Sequence, residues 1–190
     1  MSLAVEENSV TPEQYLEAER TAEYKSEYFG GEIFAMSGAS RKHNLICGNM
    51  FAAIHRQIRN RNCEAYTNDM RVKVSPTGLY TYPDVLVVCG EPVFDDAHKD
   101  TLLNPTLIIE VLSGSTEAYD RGKKFENYRT VLSISDYLLI AQNKCVAEHY
   151  VRQADGSWLF SEYKNLKDTV HVVSIECDMT LEEIYEKIKW

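Results

Sequence analysis

The 190-residue chain contains no apolar run long enough to cross a bilayer; its longest, such as VLVVC at 85–89, is strand-sized, so no membrane association is expected. No charged and then apolar leader opens it, and a cytoplasmic protein is the expectation. The five cysteines (47, 63, 89, 145 and 177) form no CxxC pair, and the five histidines show no HxxxH spacing, which argues against a structural zinc site. The cysteines are therefore read as reduced, mostly buried thiols. Repeats, low-complexity tracts and Pro/Gly/Ser-rich linkers are also missing, so one domain over 1–190 is expected, with a flexible stretch at 1–10. Positive charge is scarce: 20 Lys and Arg against 29 Asp and Glu leave a net −9, which excludes a generic coating of nucleic acid.

What is present is enough apolar residue, 44%, for a real core. The bases cluster: residues 41–73 hold seven bases against two acids and 120–130 four against two, whereas 1–30 hold seven acids and two bases. A basic face on an acidic body is the expectation. Thr11-Pro12-Glu13-Gln14 carries a capping box that opens a helix ending near Arg20. Segments 24–29 and 32–36 flank Gly30-Gly31 as a hairpin. Ile46, Met50, Ile54 and Ile58 recur every four residues in a helix over 42–60, with Arg56, Arg59 and Arg61 at its end. Strands are expected at 63–75, 80–89, 106–113, 136–142 and 170–173, a hairpin at 145–152 and 157–163, and a helix over 115–131 opened by Ser115 or Thr116. A second capping box, Thr180 to Glu183, starts a short last helix. The sum is an α/β (α+β) domain, a mixed sheet flanked by helices and hairpins.

Two acids stand inside apolar strand-like runs: Asp84 in YPDVLVVC and Glu110 in PTLIIEVLS. Continuous apolar runs suit strands covered on both faces. An ionised carboxylate there must meet a cation, since burying it alone costs on the order of several kcal/mol. Asp84 reads also as a turn aspartate, and Glu110 as half of a core ion pair. Paired on neighbouring strands, the two would repel, and a hard divalent cation with oxygen ligands resolves that repulsion. In the helix after Glu110, Asp120 and Lys124 are four apart and Tyr128 extends their face, so a lysine there can reach back to the acids or lie in a solvated basic stripe.

The segments PD in YPDVLVV, EVLS in LIIEVLS and STEAYDRGKKFENYR together resemble the Uma-two family of the restriction-endonuclease-like PD-(D/E)xK superfamily. The resemblance runs from TPEQYLEAE through GGEIFAMSGAS and RKHN to TLEEIY. It implies a restriction-endonuclease-like fold and magnesium- or manganese-dependent cleavage of DNA, with the metal on Asp84, Glu110 and a carbonyl near Val111. It also implies an accessory Glu27, His43 beside phosphate or water, and a homodimer. The superfamily lysine would stand at position 112, where this chain has Leu112; the resemblance implies a lysine moved to the next helix, Lys123 or Lys124, with Lys124 matching D-R-x-x-K-x-x-x-Y. Leu112 also supports a second expectation, a catalytically silent member that binds nucleic acid or protein; hydrolysis of another phosphoester is a third.

Overall fold

The computed structural model describes residues 9–114 and 116–190. The expectations for residues 1–8 and for Ser115 as a cap lie outside the described residues. Helix α1 (Pro12–Glu19) starts where Thr11 and Gln14 exchange the reciprocal bonds of a capping box. Strands β1 (Ser26–Phe29) and β2 (Glu32–Ala35) turn on Gly30 and Gly31, both at positive φ. Gly31 is doubly required, because a Cβ there would stand 2.7 Å from the Ser9 side chain. Helix α2 (Arg41–Ile58) is capped by Ser40 and buries Ile46, Met50, Ala53, Ile54 and Ile58.

The expected strands 63–75 and 80–89 each prove to be two. The first divides into β3 (Cys63–Thr67) and β4 (Arg71–Val74) at a turn closed by Met70 N–H on the Thr67 carbonyl. The second divides into β5 (Leu79–Thr81) and β6 (Val85–Cys89) around Pro83, which cannot donate to a ladder. At both breaks the chain changes sheet. Next come β7 (Thr101–Leu102) and β8 (Leu107–Leu112). The following helical stretch is α3 (Glu117–Tyr119), a π-turn (Asp120–Lys124) and α4 (Phe125–Tyr128). Strands β9 (Asp136–Ala141), β10 (Ala147–Arg152), β11 (Trp158–Tyr163), β12 (Thr169–Val172) and β13 (Cys177–Thr180) precede α5 (Leu181–Ile184).

Among the described residues the strands form a mixed sheet ordered β11-β10-β9-β8-β6-β3, a second ordered β2-β1-β5-β4-β7, and the β12-β13 hairpin. Alternate residues of β6 and β8 feed two cores. Val85, Val87, Ile109 and Val111 pack on α2 and the C-terminal hairpin, while Leu86, Val88, Ile108 and Leu112 pack toward the second sheet and α4. The long sheet is thus covered on both faces, as its apolar runs require. Leu112, where the superfamily lysine was expected, is a core residue at 3% exposure.

One expectation is corrected. Cys63 and Cys89 are joined in a disulfide, because the antiparallel register of β3 and β6 sets them directly opposite each other; Cys47, Cys145 and Cys177 are free. Several of the bases counted at 41–73 and 120–130 are engaged away from Asp84 and Glu110. The basic end of α2 is turned to the C-terminal hairpin, with Arg56 on Glu183 and Arg61 on the Ile175 and Glu176 carbonyls. The other end of that helix, roughly 27 Å away at 1.5 Å per residue, is the one beside the acids. Arg121 is spent on Glu117 and Glu148.

Candidate active site

The Val85↔Ile109 pair ends the β6–β8 ladder, so Asp84 and Glu110 stand opposite each other just beyond it. Asp84 is fixed by backbone: its Oδ2 accepts the Val111 N–H at 2.7 Å. The same oxygen lies 3.1 Å from His43 Nε2, delivered by the first turn of α2. Glu110 has the parity of Ile108 and Leu112 and therefore points toward α4. There its Oε1 meets Lys124 Nζ at 2.9 Å and accepts the Tyr128 hydroxyl at 3.0 Å.

Lys124 is placed by the π-turn, a geometry found mostly as single turns at functional positions. Its ammonium lies 3.3 Å from Glu27 Oε1 and 3.8 Å from Asp120 Oδ1 as well. Glu27 reaches in from the second sheet, held by the Thr81 hydroxyl. Glu110, Lys124 and Asp120 are all nearly inaccessible, at 4–5% exposure. Burial, reinforced by Asp120 and Asp84, pushes the Glu110 carboxyl well up, against the pull of Lys124. Burial would depress the Lys124 ammonium, but Glu110, Glu27 and Asp120 outweigh it and hold the proton well above the ordinary lysine range. Asp120 is raised as well, chiefly by burial.

All five residues singled out in the sequence for their side chains, Glu27, His43, Asp84, Glu110 and Lys124, line one cleft of about 830 Å3. Lys123 does not join them; it is more than half exposed and pairs with Glu126. Asp120 and Tyr128 belong to the site too, and their four-residue spacing from Lys124 was the signal for them. Tyr119, whose hydroxyl is 3.5 Å from Glu27 Oε2, and Thr81 carried no signal, since folding of one sheet over the other brings them in.

Three carboxylates (Glu27, Glu110, Asp120) thus share one lysine with Asp84 close by, and this excess of hard oxygen donors fits a divalent cation of the magnesium type. His43, Cys47 and Asp84 form a tighter trio that could also hold an ion. That trio fits less well: the imidazole meets Asp84 through Nε2 and Cys47 through Nδ1, and one ring cannot turn both nitrogens on a single ion. Burial, with Asp84 and Glu110 nearby, also pushes the Cys47 thiol well up, away from the thiolate a metal would take. Arg71 plays no part at the site; it is buried against Thr101, Tyr82 and Asp100. No helix of the described residues is long and apolar enough to cross a membrane.

Comparison with known proteins places the chain in a family. The Uma2 family, described as "Putative restriction endonuclease", matches residues 12–182. "Uncharacterized protein sll1609" of Synechocystis is 39% identical over 153 residues, covering 80% of this chain and 86% of the relative. "Uncharacterized protein slr1290" of the same organism is 35% identical over 176 residues, 93% and 91% of the two chains. A crystal structure described as a putative nuclease belonging to DUF820, from Anabaena variabilis, superposes with a TM-score of 0.78 over 95% of this chain and 99% of that one at 18% identity, a likeness of fold. With the family matched over residues 12–182, this chain is a member of the Uma2 family, built on a restriction-endonuclease-like fold.

Proposed function

We propose that the protein is a divalent-metal-dependent nuclease that hydrolyses phosphodiester bonds in DNA. The observation that carries this reading is the placement of Asp84 and Glu110 opposite each other just past the β6–β8 ladder, with the Lys124 ammonium buried beside them. The matching family's description as a restriction endonuclease supports it. Asp84 and Glu110 would hold magnesium or manganese. The Val111 carbonyl joins them, since in an extended strand it leaves on the same side as the N–H that bonds Asp84. A bound divalent ion supplies Lewis acidity at the phosphoryl oxygen.

The remaining steps belong to the protein's own groups. The Val111 N–H occupies Oδ2 of Asp84 and leaves Oδ1 for the metal. Lys124 and Tyr128 occupy Oε1 of Glu110 and leave Oε2. Lys124, always protonated here, orients the attacking water and stabilises charge building on the phosphoryl group. Glu27 fixes Lys124 from the opposite side. A homodimer in the cytoplasm, carrying two such sites, belongs to this reading.

The test is cleavage of plasmid and linear DNA with magnesium or manganese by wild type, Asp84→Asn and Glu110→Gln. Activity in the wild type alone supports the reading; equal activity in all three, or none with any divalent ion, rejects it. The second reading is a silent family member. It is favoured by Lys124 being committed to three carboxylates, as in a structural ion cluster. Calorimetric titration with manganese separates the two, since a structural cluster takes up no metal.

A further inference from the structure

The rim of the cleft has a character that metal chemistry does not use. Three of the five exposed aromatic side chains lie on it: Tyr24 at 79% exposure, Phe34 at 48% and Tyr119 at 37%. Their positions are set by the fold. Phe34 is the cross-strand partner of Glu27, so the two side chains leave the hairpin on one face about 5 Å apart. Tyr119 approaches Glu27 from the other side, through its hydroxyl. Tyr24 stands on the same hairpin, two residues before β1. The other two, Phe160 and Trp190, lie away from the cleft, and aromatics such as Tyr15 and Tyr28 are buried and stacked on each other.

The rim is also poor in cations. Among the described residues, Lys25 and Lys124 are the only lysines or arginines lining the cleft. Lys124 is buried among acids, and Lys25 is held by Asp69 and the Asn68 carbonyl, each at 2.8 Å. A protein that grips duplex DNA neutralises about 6–10 phosphates with such side chains. This cleft has no comparable set, and its acids repel a dense phosphate backbone. What it offers is flat apolar rings beside the metal ligands. Base faces can reach such rings only when they are unpaired, and each stacked base adds roughly five- to a hundred-fold in affinity.

We infer that Tyr24, Phe34 and Tyr119 form a base-stacking subsite and that the substrate enters as an unpaired nucleotide strand, not as an intact duplex. This rests on the nuclease reading for its setting, but it is tested by binding. Full-length protein, with calcium in place of magnesium, is titrated against labelled single-stranded DNA, single-stranded RNA of the same sequence and the blunt duplex, following fluorescence anisotropy over a range of salt. The expected result is about ten-fold or greater preference for an unpaired strand, with affinity falling only shallowly with salt. The ratio of the DNA and RNA arms identifies the natural strand. Phe34→Ala and Tyr24→Ala weaken single-strand binding by roughly five- to a hundred-fold, while Phe34→Trp restores it. Both side chains are exposed, so an unchanged melting midpoint certifies the variants. Equal or tighter duplex binding, or alanine variants that bind as the wild type does, overturns the inference. If DNA is cleaved but Phe34→Ala alters neither single-strand nor duplex cleavage, the subsite is wrong and the nuclease reading survives. If nothing is cleaved yet the alanine variants lose single-strand binding, the subsite stands and the nuclease reading falls.

Discussion

Tyr128 donates its hydroxyl to the same oxygen of Glu110 that Lys124 occupies, at 3.0 and 2.9 Å. Both donors come from one helical stretch, four residues apart, and one carboxylate oxygen absorbs them. Tyr128 is fully buried, so no water stands ready to replace its hydroxyl. Tyr128→Phe is therefore expected to cost about 1.5–3 kcal/mol, the usual worth of a hydrogen bond to a charged group. Urea unfolding measures it, and a variant as stable as the wild type would show that the hydroxyl contributes nothing.

Lys124 separates the metal half of the proposed function from the reaction half. Lys124→Met leaves Glu27, Glu110 and Asp120 without their shared cation, and breaking a buried pair in this way costs about 3–5 kcal/mol. Manganese should restore more stability to this variant than it adds to the wild type, because the acid excess is greater, yet cleavage should be lost. Thermal melts with and without manganese give the comparison. Equal shifts in the two proteins would mean that the ion binds away from this cluster.

Acid stability is expected to depend on Asp100. Arg20 beside it, with help from Arg71, holds this carboxyl well below the ordinary aspartate range. A depressed folded-state value means that the stabilisation is complete above the unfolded value and is lost as pH falls through the folded one. The wild type should thus weaken progressively below about pH 4. Asp100→Asn should be less stable at neutral pH and should show a flatter acid limb. Parallel acid limbs in chemical unfolding at stepped pH would refute this.

The thiol inventory gives a further check. Alkylation of the oxidised, denatured protein should label three cysteines (47, 145 and 177), and five after reduction. Loss of the 26-residue Cys63–Cys89 link should lower stability by up to about 3–4 kcal/mol on the chain-entropy account. Mass spectrometry showing five labels without reductant would remove the bridge.

Features with a local cause were legible in the sequence. The capping boxes at Thr11 and Thr180, the Gly30-Gly31 hairpin and the four-residue stripe of α2 all stand where the pattern placed them, within one or two residues. The strands at 63–75 and 80–89 were traced as single elements because β-propensity is the same whichever sheet a residue joins. Only the Thr67–Met70 turn and Pro83 marked the crossings. Short β7 and β13 lack the length to show alternation. At the site, Asp84, Glu110 and the Asp120-Lys124-Tyr128 face were visible as spacing. The approach of Glu27 to Lys124 was not, since it depends on one sheet folding over another. The pairing of His149 was not visible either: its Nε2 meets Asp136 at 2.5 Å diagonally across the β9–β10 pair, a contact that only the register reveals.

The repeated passage of the chain between its two large sheets has a mechanical consequence. Glu27 belongs to one layer, Glu110 to the other, and the Lys124 ammonium lies between them within 3.3 Å of both. That side chain acts as a rivet through the seam. The layers cannot part at the cleft without stranding a buried cation, so the mouth is held at fixed width. A substrate must therefore conform to the gap, and the rigidity that keeps the acids in register also sets the thickness of what can enter.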